Sequence, residues 1–367
     1  MADVRIDRLG KLMVEYSVDV QPGQIIEISG GANAAAVLQA AYKYTLLRGG
    51  HPIMRPSLPG TTELMFAHGS DEQLQYISPI DRWAIEEADG LIRVMSDTNT
   101  RSLTSVDPAR QQLAGRARGE IRQTMMNRAA TGDLAWILTL FPTEAYAQDA
   151  EMSLAEYEEF VYGAGLLDDP DPVARWREIS AEQQRLCDWL STRNEIRIQA
   201  EGTDITVQTG GRTWINADGK HNFPDGEIFT GPVEDSANGH VSFTFPSTMS
   251  GRSVEGIQLT FENGKVVDAS ASKNEEYLIS TLDTDEGARY LGEFAFGTNK
   301  GIQKYTGNTL FDEKIGGTLH MAVGAGYPQS GSKNQSAVHW DMIMDLRNGS
   351  EVHVDGDLFS KDGKFVV

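Results

Sequence analysis

The chain has 367 residues, of which 40% are hydrophobic and 23% are charged, and its formal net charge is −21. A chain of this length is too long for one ordinary core and predicts two domains, and its composition is that of an ordinary soluble globular protein. The acidity excludes the basic face that nucleic acids and anionic membranes require, so we expect neither as a partner.

The cysteine count and the start of the chain bear on the compartment. Cys187 is the single cysteine, so no intrachain disulfide can form. Residues 1–20 are charged and amphipathic and lack the apolar segment of a secretory signal. No stretch approaches the roughly 18 apolar residues of a membrane-spanning helix. These features predict a cytoplasmic protein.

The first half of the chain alternates between helical and extended patterns. Apolar spacing predicts a helix over 3–17, and a turn then leads into a strand at 25–29. An alanine-rich helix follows the pair Gly30-Gly31, which lacks a nucleotide-binding motif and reads as a plain turn. Further strands are predicted at 51–57 and 88–97. Strand–helix–strand units of this length indicate a parallel, wound α/β sheet.

The pattern changes near residue 190. A polar helix before that point carries Trp176 and Trp189 toward the core, and alternating strand patterns dominate from 194 onward. Residues 262–265 carry the Asn-Gly pair of a tight hairpin, and one helix is predicted over 274–293. The predicted fold class is therefore α/β plus α+β, with a wound α/β domain in 1–190 and a mainly antiparallel α+β domain in 191–367.

Two local features of the second domain suggest metal chemistry. His339 and Asp341 stand two residues apart in a strand-like run, so both side chains leave the same face, while Trp340 points to the opposite face and the core. Such a pair can bind one metal ion through nitrogen and oxygen, although it is common by chance.

The second feature is the glycine-rich segment 309–336. It holds Asp312, Glu313 and His320 around a Gly-Gly step, and Tyr327 follows within the same run. Dense glycine lets the backbone approach a ligand or another segment closely. A loose surface loop with incidental acids explains the segment less well, because apolar residues follow the histidine directly.

The region from about 222 to 357 closely resembles the thermophilic-type metalloaminopeptidases, the family of aminopeptidases T and S. The matching segments are collinear: GEIFTGP (226–232), VEGIQLTFENGKVV (254–267), LGEFAFGTN (291–299), LFDEKIGGTLHMAVGAGYP (310–328), NQSAVHWD (334–341) and VDGDLF (354–359). The N-terminal half fits the family's outline, although its local motifs are less distinctive. The resemblance implies an exopeptidase that removes N-terminal residues from peptides and forms a homodimer.

The resemblance also implies a catalytic metal site in the second domain. The implied metal ligands are Glu227, Glu293, Glu313, His320, His339 and Asp341, with Glu293 as the carboxylate that bridges two metal ions. Tyr327 and Glu255 match further family positions and are the implied catalytic residues.

The chemistry of this residue set agrees with two divalent ions, which we expect to be Zn, Co or Mn. Two such ions about 3.5–4 Å apart share a water and lower its pKa, which generates a hydroxide nucleophile. A carboxylate that is free of metal, Glu255 or one oxygen of Glu313, is then available to carry a proton to the leaving amine. Tyr327 is placed to donate a hydrogen bond to the oxyanion.

Two alternatives remain open at this level. His320, His339 and Asp341 are also the residue types of a mononuclear Fe(II) site, as in ring-cleaving dihydroxypyridine dioxygenases of a related fold, but that reading leaves the three glutamates unused. A non-catalytic binding or assembly protein on the same scaffold is the other alternative. Metal content and hydrolysis of aminoacyl-anilides distinguish the aminopeptidase, the dioxygenase and the binding protein from one another.

Overall fold

The computed structural model describes residues 3–249 and 251–367. These residues form two compact units. The first comprises the chain up to Arg175 together with Gly219–Pro224, and the second comprises Trp176–Asp218 and Asp225–Val367. The division after Arg175 lies inside a helix, upstream of the predicted boundary at residue 190.

Helices dominate the first unit and strands the second. The α-helices are α1 (Val4–Leu12), α2 (Ala35–Leu47), α3 (Thr61–His68), α4 (Asp71–Gln75), α5 (Pro79–Glu87), α6 (Pro108–Ala117), α7 (Gly119–Thr131), α8 (Glu144–Asp149), α9 (Leu154–Ala164), α10 (Pro172–Ser191), α11 (Glu275–Leu282) and α12 (Thr309–Asp312). The strands are β1 (Ile25–Gly31), β2 (His51–Ser57), β3 (Gly90–Met95), β4 (Ala135–Leu140), β5 (Glu195–Ala200), β6 (Thr203–Gln208), β7 (Ile215–Ala217), β8 (Asn222–Phe223), β9 (Glu227–Thr230), β10 (Asn238–Ser242), β11 (Ser247–Met249), β12 (Arg252–Val254), β13 (Gln258–Glu262), β14 (Lys265–Ser270), β15 (Leu291–Gly297), β16 (Thr318–Gly324), β17 (His339–Asp345), β18 (Glu351–Val354), β19 (Asp357–Lys361) and β20 (Lys364–Phe365).

The first unit has the wound α/β architecture that the sequence predicts. Its sheet has the order β2-β1-β3-β4-β8, and every neighbouring pair is parallel. Ile26, Ile28 and Ile92 are fully buried in its central strands, as expected for a sheet covered on both faces. No helix in the described ranges is long and apolar enough to cross a membrane.

The second unit is built from antiparallel sheets, which confirms the predicted fold class. Its larger sheet has eight strands in the order β14-β13-β10-β6-β5-β18-β19-β20, and a five-stranded sheet has the order β17-β16-β15-β9-β7. A shared apolar core includes Ile198, Val352 and Phe359 from the first sheet and Phe294 and Met342 from the second. The five-stranded sheet is the one that positions the candidate site.

Several local predictions hold, and one is wrong. Asn263 and Gly264 have φ of +50° and +82° in the hairpin between β13 and β14, as the Asn-Gly pair predicts. Trp176 is fully buried and Trp189 is partly buried. The predicted helix over 274–293 ends at Leu282, and its last residues belong to β15. All seven residues of β15 are buried, so sheet pairing on both sides outweighs the helical spacing of the sequence.

Candidate metal centre

One face of the five-stranded sheet carries five of the six predicted ligands. Glu293 on β15 pairs with Ala322 on β16, which pairs in turn with Asp341 on β17. Directly paired residues of antiparallel strands share a face, and so do residues two positions apart in one strand. His320 and His339 therefore lie on the same face as Glu293 and Asp341.

Glu227 joins this face from the neighbouring strand β9. It pairs with Gly297, which lies four positions after Glu293 on β15 and so on the same face. Gly226, just before it, has φ of +123°, and a Cβ there would lie 2.7 Å from the Cβ of Asn299. Glycine at 226 therefore allows β9 to run close enough to bring Glu227 to the site.

The opposite face of the same sheet is apolar. Its side chains belong to the hydrophobic core of the second unit and come from three strands: Phe294, Phe296, Leu319, Met321, Val323, Trp340, Met342 and Met344. Because successive side chains of a strand point to opposite faces, the ligands lie on one face of the sheet and the core residues on the other. Between the ligands stand the small residues Ala295 and Ala322, which leave the ligand face open.

Glu313 reaches the ligands from outside the sheet. It follows α12, whose first turn is capped by the side chain of Asn308. The next carbonyl group, that of Lys314, accepts a hydrogen bond from the amide of Asn299 at 3.1 Å. These bonds hold the backbone on both sides of Glu313 and fix where its carboxylate points.

The six predicted ligands lie together as two sets of three, which we call the first and the second group. Within each group, one ligand atom of every residue lies within 4.8 Å of the other two. The first group is Glu227, Glu313 and His320, and the second group is Glu293, His339 and Asp341. Each group therefore offers two carboxylates and one imidazole.

Glu293 lies between the two groups. Its Oε1 is 3.7 Å from Nε2 of His320, whereas its Oε2 is 3.3 Å from Nε2 of His339. His320 Nε2 is also 3.5 Å from Oε2 of Glu227, and His339 Nε2 is 3.6 Å from Oδ2 of Asp341. The two imidazoles thus face carboxylates of their own group and share the carboxylate of Glu293.

Lys314 is a buried cation beside the first group. Its side chain is 2% exposed, and its Nζ lies 3.0 Å from Oε1 of Glu227 and 2.6 Å from Oε2 of Glu313. Burial lowers the pKa of Lys314, but the two carboxylates outweigh that effect and hold the pKa well above its usual value. Lys314 therefore carries a positive charge in the site.

Proton binding at the site is strongly perturbed because so many charges share a buried space. Burial raises the pKa of Glu227, and Lys314 and His320 offset this only in part. Burial lowers the pKa of His320, but the surrounding carboxylates, Glu293 first, raise it to about 9. The pKa of His339 rises to about 10 for the same reason. Without a bound cation, the imidazoles themselves are the counter-charges of the carboxylates.

Tyr327 stands at the edge of the second group. Its ring centroid is 5.3 Å from that of His339, in an edge-on arrangement, and 5.4 Å from that of Phe229. Burial and the nearby charge of Glu293 raise the pKa of Tyr327, so its hydroxyl keeps its proton. The Nδ1 of His339 lies 2.7 Å from the carbonyl oxygen of Ala325, which leaves Nε2 directed at the carboxylates.

A cavity of about 220 Å³ opens beside the ligands. Glu313, His339 and Asp341 lie on its wall, and Met249, Tyr305 and Ile343 supply apolar surface. The ligands are thus accessible to a small molecule or a chain end.

Glu255, the second predicted catalytic residue, lies outside both groups. Its carboxylate forms an ion pair with Lys273, and its side chain is 41% exposed. It is still close enough to act on the cavity electrostatically, because its charge adds to the effects of burial and Asp312 that raise the pKa of Tyr305 to about 12.

Lys314 and Tyr305 are the site residues that sequence reasoning missed. Lys314 follows Glu313 directly, and a Glu-Lys pair most often marks a solvated surface. The available signal was its position between apolar residues, since Phe311 and Ile315 are both fully buried. Tyr305 lies in a polar stretch with no regular pattern, and we find no sequence signal that marks it.

The residues fit divalent cations. Glu227 Oε2, His320 Nδ1 and Asp341 Oδ1 are buried and have no hydrogen-bond partner among the described residues. Buried polar atoms are normally satisfied, so unpartnered atoms among clustered carboxylates and imidazoles suit a bound cation as their partner. Carboxylate and imidazole together suit Zn, Co or Mn. Fold and site together define a candidate metal-binding protein.

Comparison with known proteins identifies the family. The profile of the thermophilic metalloprotease (M29) family matches residues 2–365. The chain therefore belongs to the thermophilic metalloprotease (M29) family. This confirms the predicted family and the predicted enzyme class, a metallo-exopeptidase of the aminopeptidase type.

Curated relatives align over nearly the whole chain. Aminopeptidase 2 of Geobacillus stearothermophilus is 28% identical over 98% of this chain and 95% of its own length. Aminopeptidase T of Thermus aquaticus is 28% identical over 96% of this chain and 94% of its own length.

Solved structures share the fold. Wild-type AmpT from Thermus thermophilus superposes with a TM-score of 0.85 at 22% identity and covers 99% of both chains. A 2,5-dihydroxypyridine dioxygenase from Pseudomonas putida KT2440 gives a TM-score of 0.59 at 15% identity, with 99% of this chain and 97% of that chain covered. The dioxygenase is thus a more distant relative in structure.

Proposed function

We propose that this protein is an aminopeptidase that uses two divalent metal ions to release N-terminal amino acids from peptides. The residues of the first group would hold one cation and those of the second group the other. The observation that carries the proposal is the position of Glu293, whose two carboxylate oxygens face the imidazoles of different groups at 3.7 and 3.3 Å.

The charge balance of the site supports two divalent metal ions per chain. The two groups together bring four carboxylates and two imidazoles into one buried space, and three of their polar atoms lack partners. Buried carboxylates are costly without a counter-charge, and two dications together with the ammonium of Lys314 would supply it. Glu293 is the residue that we propose as the shared ligand.

The protein residues then have separable roles. When bound, the metal ions supply Lewis-acid chemistry and lower the pKa of a water molecule toward neutrality. The hydroxyl of Tyr327, kept protonated by its surroundings, donates a hydrogen bond to the oxyanion that develops on the scissile carbonyl. The carbonyl oxygen of Ala325 holds His339 in the orientation that directs Nε2 into the site.

The cavity beside the ligands is the proposed site for the N-terminal residue of the peptide. Its apolar wall of Met249, Tyr305 and Ile343 faces a carboxylate-lined side at Glu313 and Asp341. A side chain suits the apolar wall, and the ligand groups on the opposite side would then lie beside the N-terminal peptide bond. Binding of the N-terminal residue in this cavity is the reason that we propose an exopeptidase.

Proton transfer to the leaving amine is proposed for a carboxylate. Glu255 is one candidate, although its pairing with Lys273 holds it away from the ligand groups. The oxygen of Glu313 that faces Lys314 is the other candidate, since it lies inside the site. If Glu255 carries the proton, Glu255→Gln should lower kcat. If Glu313 carries it, Glu255→Gln should leave kcat near that of the wild type.

Elemental analysis and peptidase assays test the proposal together. Purified protein is assayed on a panel of aminoacyl-anilides before chelation, after chelation, and after addition of Zn²⁺, Co²⁺ or Mn²⁺. We expect about two metal ions per chain, loss of hydrolysis on chelation, and its return on metal addition. An N-acetylated anilide serves as the control and should not be cleaved. Hydrolysis that persists after complete metal removal would contradict the proposal.

The same assays address the alternatives. A single iron ion with consumption of dioxygen on a dihydroxypyridine would favour the mononuclear dioxygenase, whose triad would be His320, His339 and Asp341. That reading leaves Glu227, Glu293 and Glu313 without a role, although all three lie among the ligands. Metal-loaded protein that cleaves no anilide or peptide would favour a binding protein.

The assembly and location of the protein are also proposals. We propose a homodimer in the cytoplasm that acts on peptides and binds neither nucleic acid nor membranes. The net charge of −21 supports the last two points. Light scattering on the purified protein measures the oligomeric state, and a monomer would contradict the proposed dimer.

A further inference from the structure

One face of the parallel sheet in the first unit carries charged side chains in its central strands. On β1, Ile28 points to one face and is fully buried, whereas Glu27 and Ser29 point to the other. Arg55 on β2 and Arg93 on β3 both pair with Ser29, so their side chains lie on its face. Parallel sheets are normally apolar on both faces because helices cover them. Charges at this place therefore indicate a role other than packing.

A cavity of about 530 Å³ lies over this polar face. We call it the arginine cavity after four of the residues that line it, Arg55, Arg93, Arg118 and Arg122. Helices α5 and α7 form its other walls, and an apolar cluster that includes Leu91 of β3 packs both helices against the sheet. The volume lies in the range of small-molecule sites, about 300–1,000 Å³.

The lining of the arginine cavity has an excess of positive charge. Its acidic residues are Glu27 and Asp81, so four guanidinium groups and two carboxylates leave two positive charges (4 − 2). Arg55 pairs with both acids and lies 3.3 Å from Glu27. Burial raises the pKa of Glu27, and the charges of Arg93 and Arg55 oppose that effect. The two carboxylates are thus already engaged by arginine, in a chain whose net charge is −21.

The remaining three arginines form no ion pair among the described residues. Arg118 and Arg122 stand one turn apart at the start of α7, where the amide of Arg122 donates to the carbonyl of Arg118 at 3.0 Å. Residues four apart lie on one side of a helix, and both line the cavity opposite Arg93 of β3. Glu120, between them in sequence, pairs instead with Arg82 at 3.2 Å. The guanidinium groups are therefore available to a ligand.

We propose that the arginine cavity binds a small organic anion and that Arg93, Arg118 and Arg122 hold its phosphate or carboxylate group. The planar fork of donors on a guanidinium matches the oxygens of both groups. Ile121 and Met125 on the same helix supply apolar surface for the organic part of the ligand. The cavity lies at the carboxyl-terminal halves of β1, β2 and β3, the end of a parallel sheet at which ligands commonly bind.

This site is separate from the candidate metal centre. Its lining residues belong to the first unit, whereas the six predicted metal ligands belong to the second. The proposal therefore does not rest on peptidase activity or on bound metal.

Calorimetric titration of the chelator-treated protein with phenyl phosphate, benzoate and benzyl alcohol tests the proposal. The first two probes carry the two candidate anionic groups on one ring, and the third carries a ring without charge. We expect one binding event per chain with at least one of the anions and none with the alcohol. Tighter binding of phenyl phosphate identifies a phosphate ligand, and tighter binding of benzoate identifies a carboxylate ligand.

Arginine variants locate the bound anion. Arg93→Gln and Arg122→Gln should each raise Kd by at least about tenfold, because each removes a charge and its hydrogen bonds to the anion. Arg93→Lys should bind more tightly than Arg93→Gln, since it keeps the charge. Arg101→Gln, which changes an arginine that is 81% exposed and outside the cavity, is the matched control and should bind as the wild type.

Circular dichroism verifies that each variant folds, and Arg118→Gln replaces either glutamine variant that does not. Unchanged Kd values in folded Arg93→Gln and Arg122→Gln would overturn the proposal, because the anion would then bind elsewhere. Absence of binding by both anions, or equal binding of benzyl alcohol, would overturn it too. Weakened binding in the arginine variants supports the site whether or not the metal-loaded protein hydrolyses anilides, so the test is independent of the proposed function.

Discussion

The two faces of the five-stranded sheet differ completely in chemistry although they share the same strands. On β17, Asp341 faces the ligands while its neighbours Trp340 and Met342 are buried in the apolar core. We therefore expect the apolar face to determine the stability of the fold and the ligand face to determine activity. A buried cluster of charges is tolerated here because the opposite face of each strand is anchored by apolar packing.

The largest expected effect lies on the ligand face. Glu293→Gln keeps the size of the side chain but removes the charge between the two groups. We expect kcat/KM on aminoacyl-anilides to fall by at least about 10³-fold, since metal-ion catalysis is worth several kcal/mol.

Circular dichroism and metal analysis complete that experiment. The variant should remain folded and should bind less metal than the wild type. Glu262→Gln, at the exposed hairpin of the other sheet, is the control and should behave as the wild type. Full activity in Glu293→Gln would mean that the charge between the two groups has no role in catalysis.

The opposite face should respond in stability. Met342 is fully buried in the core, and we expect Met342→Ala to lower the free energy of unfolding by about 2–5 kcal/mol. Asp341→Asn, one residue away, should leave the stability of the metal-free protein unchanged or raise it, because burial strongly disfavours the charge of Asp341.

Denaturant unfolding of both chelator-treated variants measures this difference. Below the unfolding transition, Met342→Ala should keep its activity per folded molecule, whereas Asp341→Asn should lose activity. Equal destabilisation by the two substitutions would mean that the ligand face contributes to stability as much as the apolar face does.

A smaller effect is expected at the edge of the ligand face. Tyr327→Phe removes the hydroxyl that we propose as the oxyanion donor, and kcat should fall by about 10²-fold with KM and metal content little changed. Glu255→Gln should reduce kcat only if this exposed carboxylate carries the proton to the leaving amine. Near-normal turnover in either variant would remove that residue from the mechanism.

The sequence predicted those parts of the fold and site that depend on local pattern. Strand alternation places His339 and Asp341 on one face and Trp340 on the other because the period of two is a property of the strand itself. The hairpin at Asn263-Gly264 follows from the same kind of local signal. The long-range assembly of Glu227, Glu293 and Glu313 with the histidines came from family resemblance, since no local motif links them.

Tertiary context explains what sequence reasoning missed. The segment after Leu282 has helical spacing, yet residues from Leu291 onward enter the centre of a sheet, where pairing on both sides determines the structure. Lys314 is charged and adjacent to a glutamate, which ordinarily marks a surface, but burial is set by the surrounding fold. Its role depends on Glu227, which is 87 positions away in sequence (314 − 227).

The affinity of the ligand face for metal ions should depend on pH. Without metal, the pKa of His320 is raised to about 9 and that of His339 to about 10, so both imidazoles hold protons at neutral pH. A metal ion binds only the neutral imidazole, so proton and cation compete, and lower pH weakens metal binding. Apparent affinity should therefore rise with pH by at least about tenfold per unit between about pH 6 and about pH 8. Calorimetry in two buffers of different ionisation enthalpy should show proton release on binding. Met342→Ala, on the apolar face, is the control and should show the same dependence of metal affinity on pH. A metal affinity that does not change with pH would contradict the protonation of His320 and His339 in the metal-free protein.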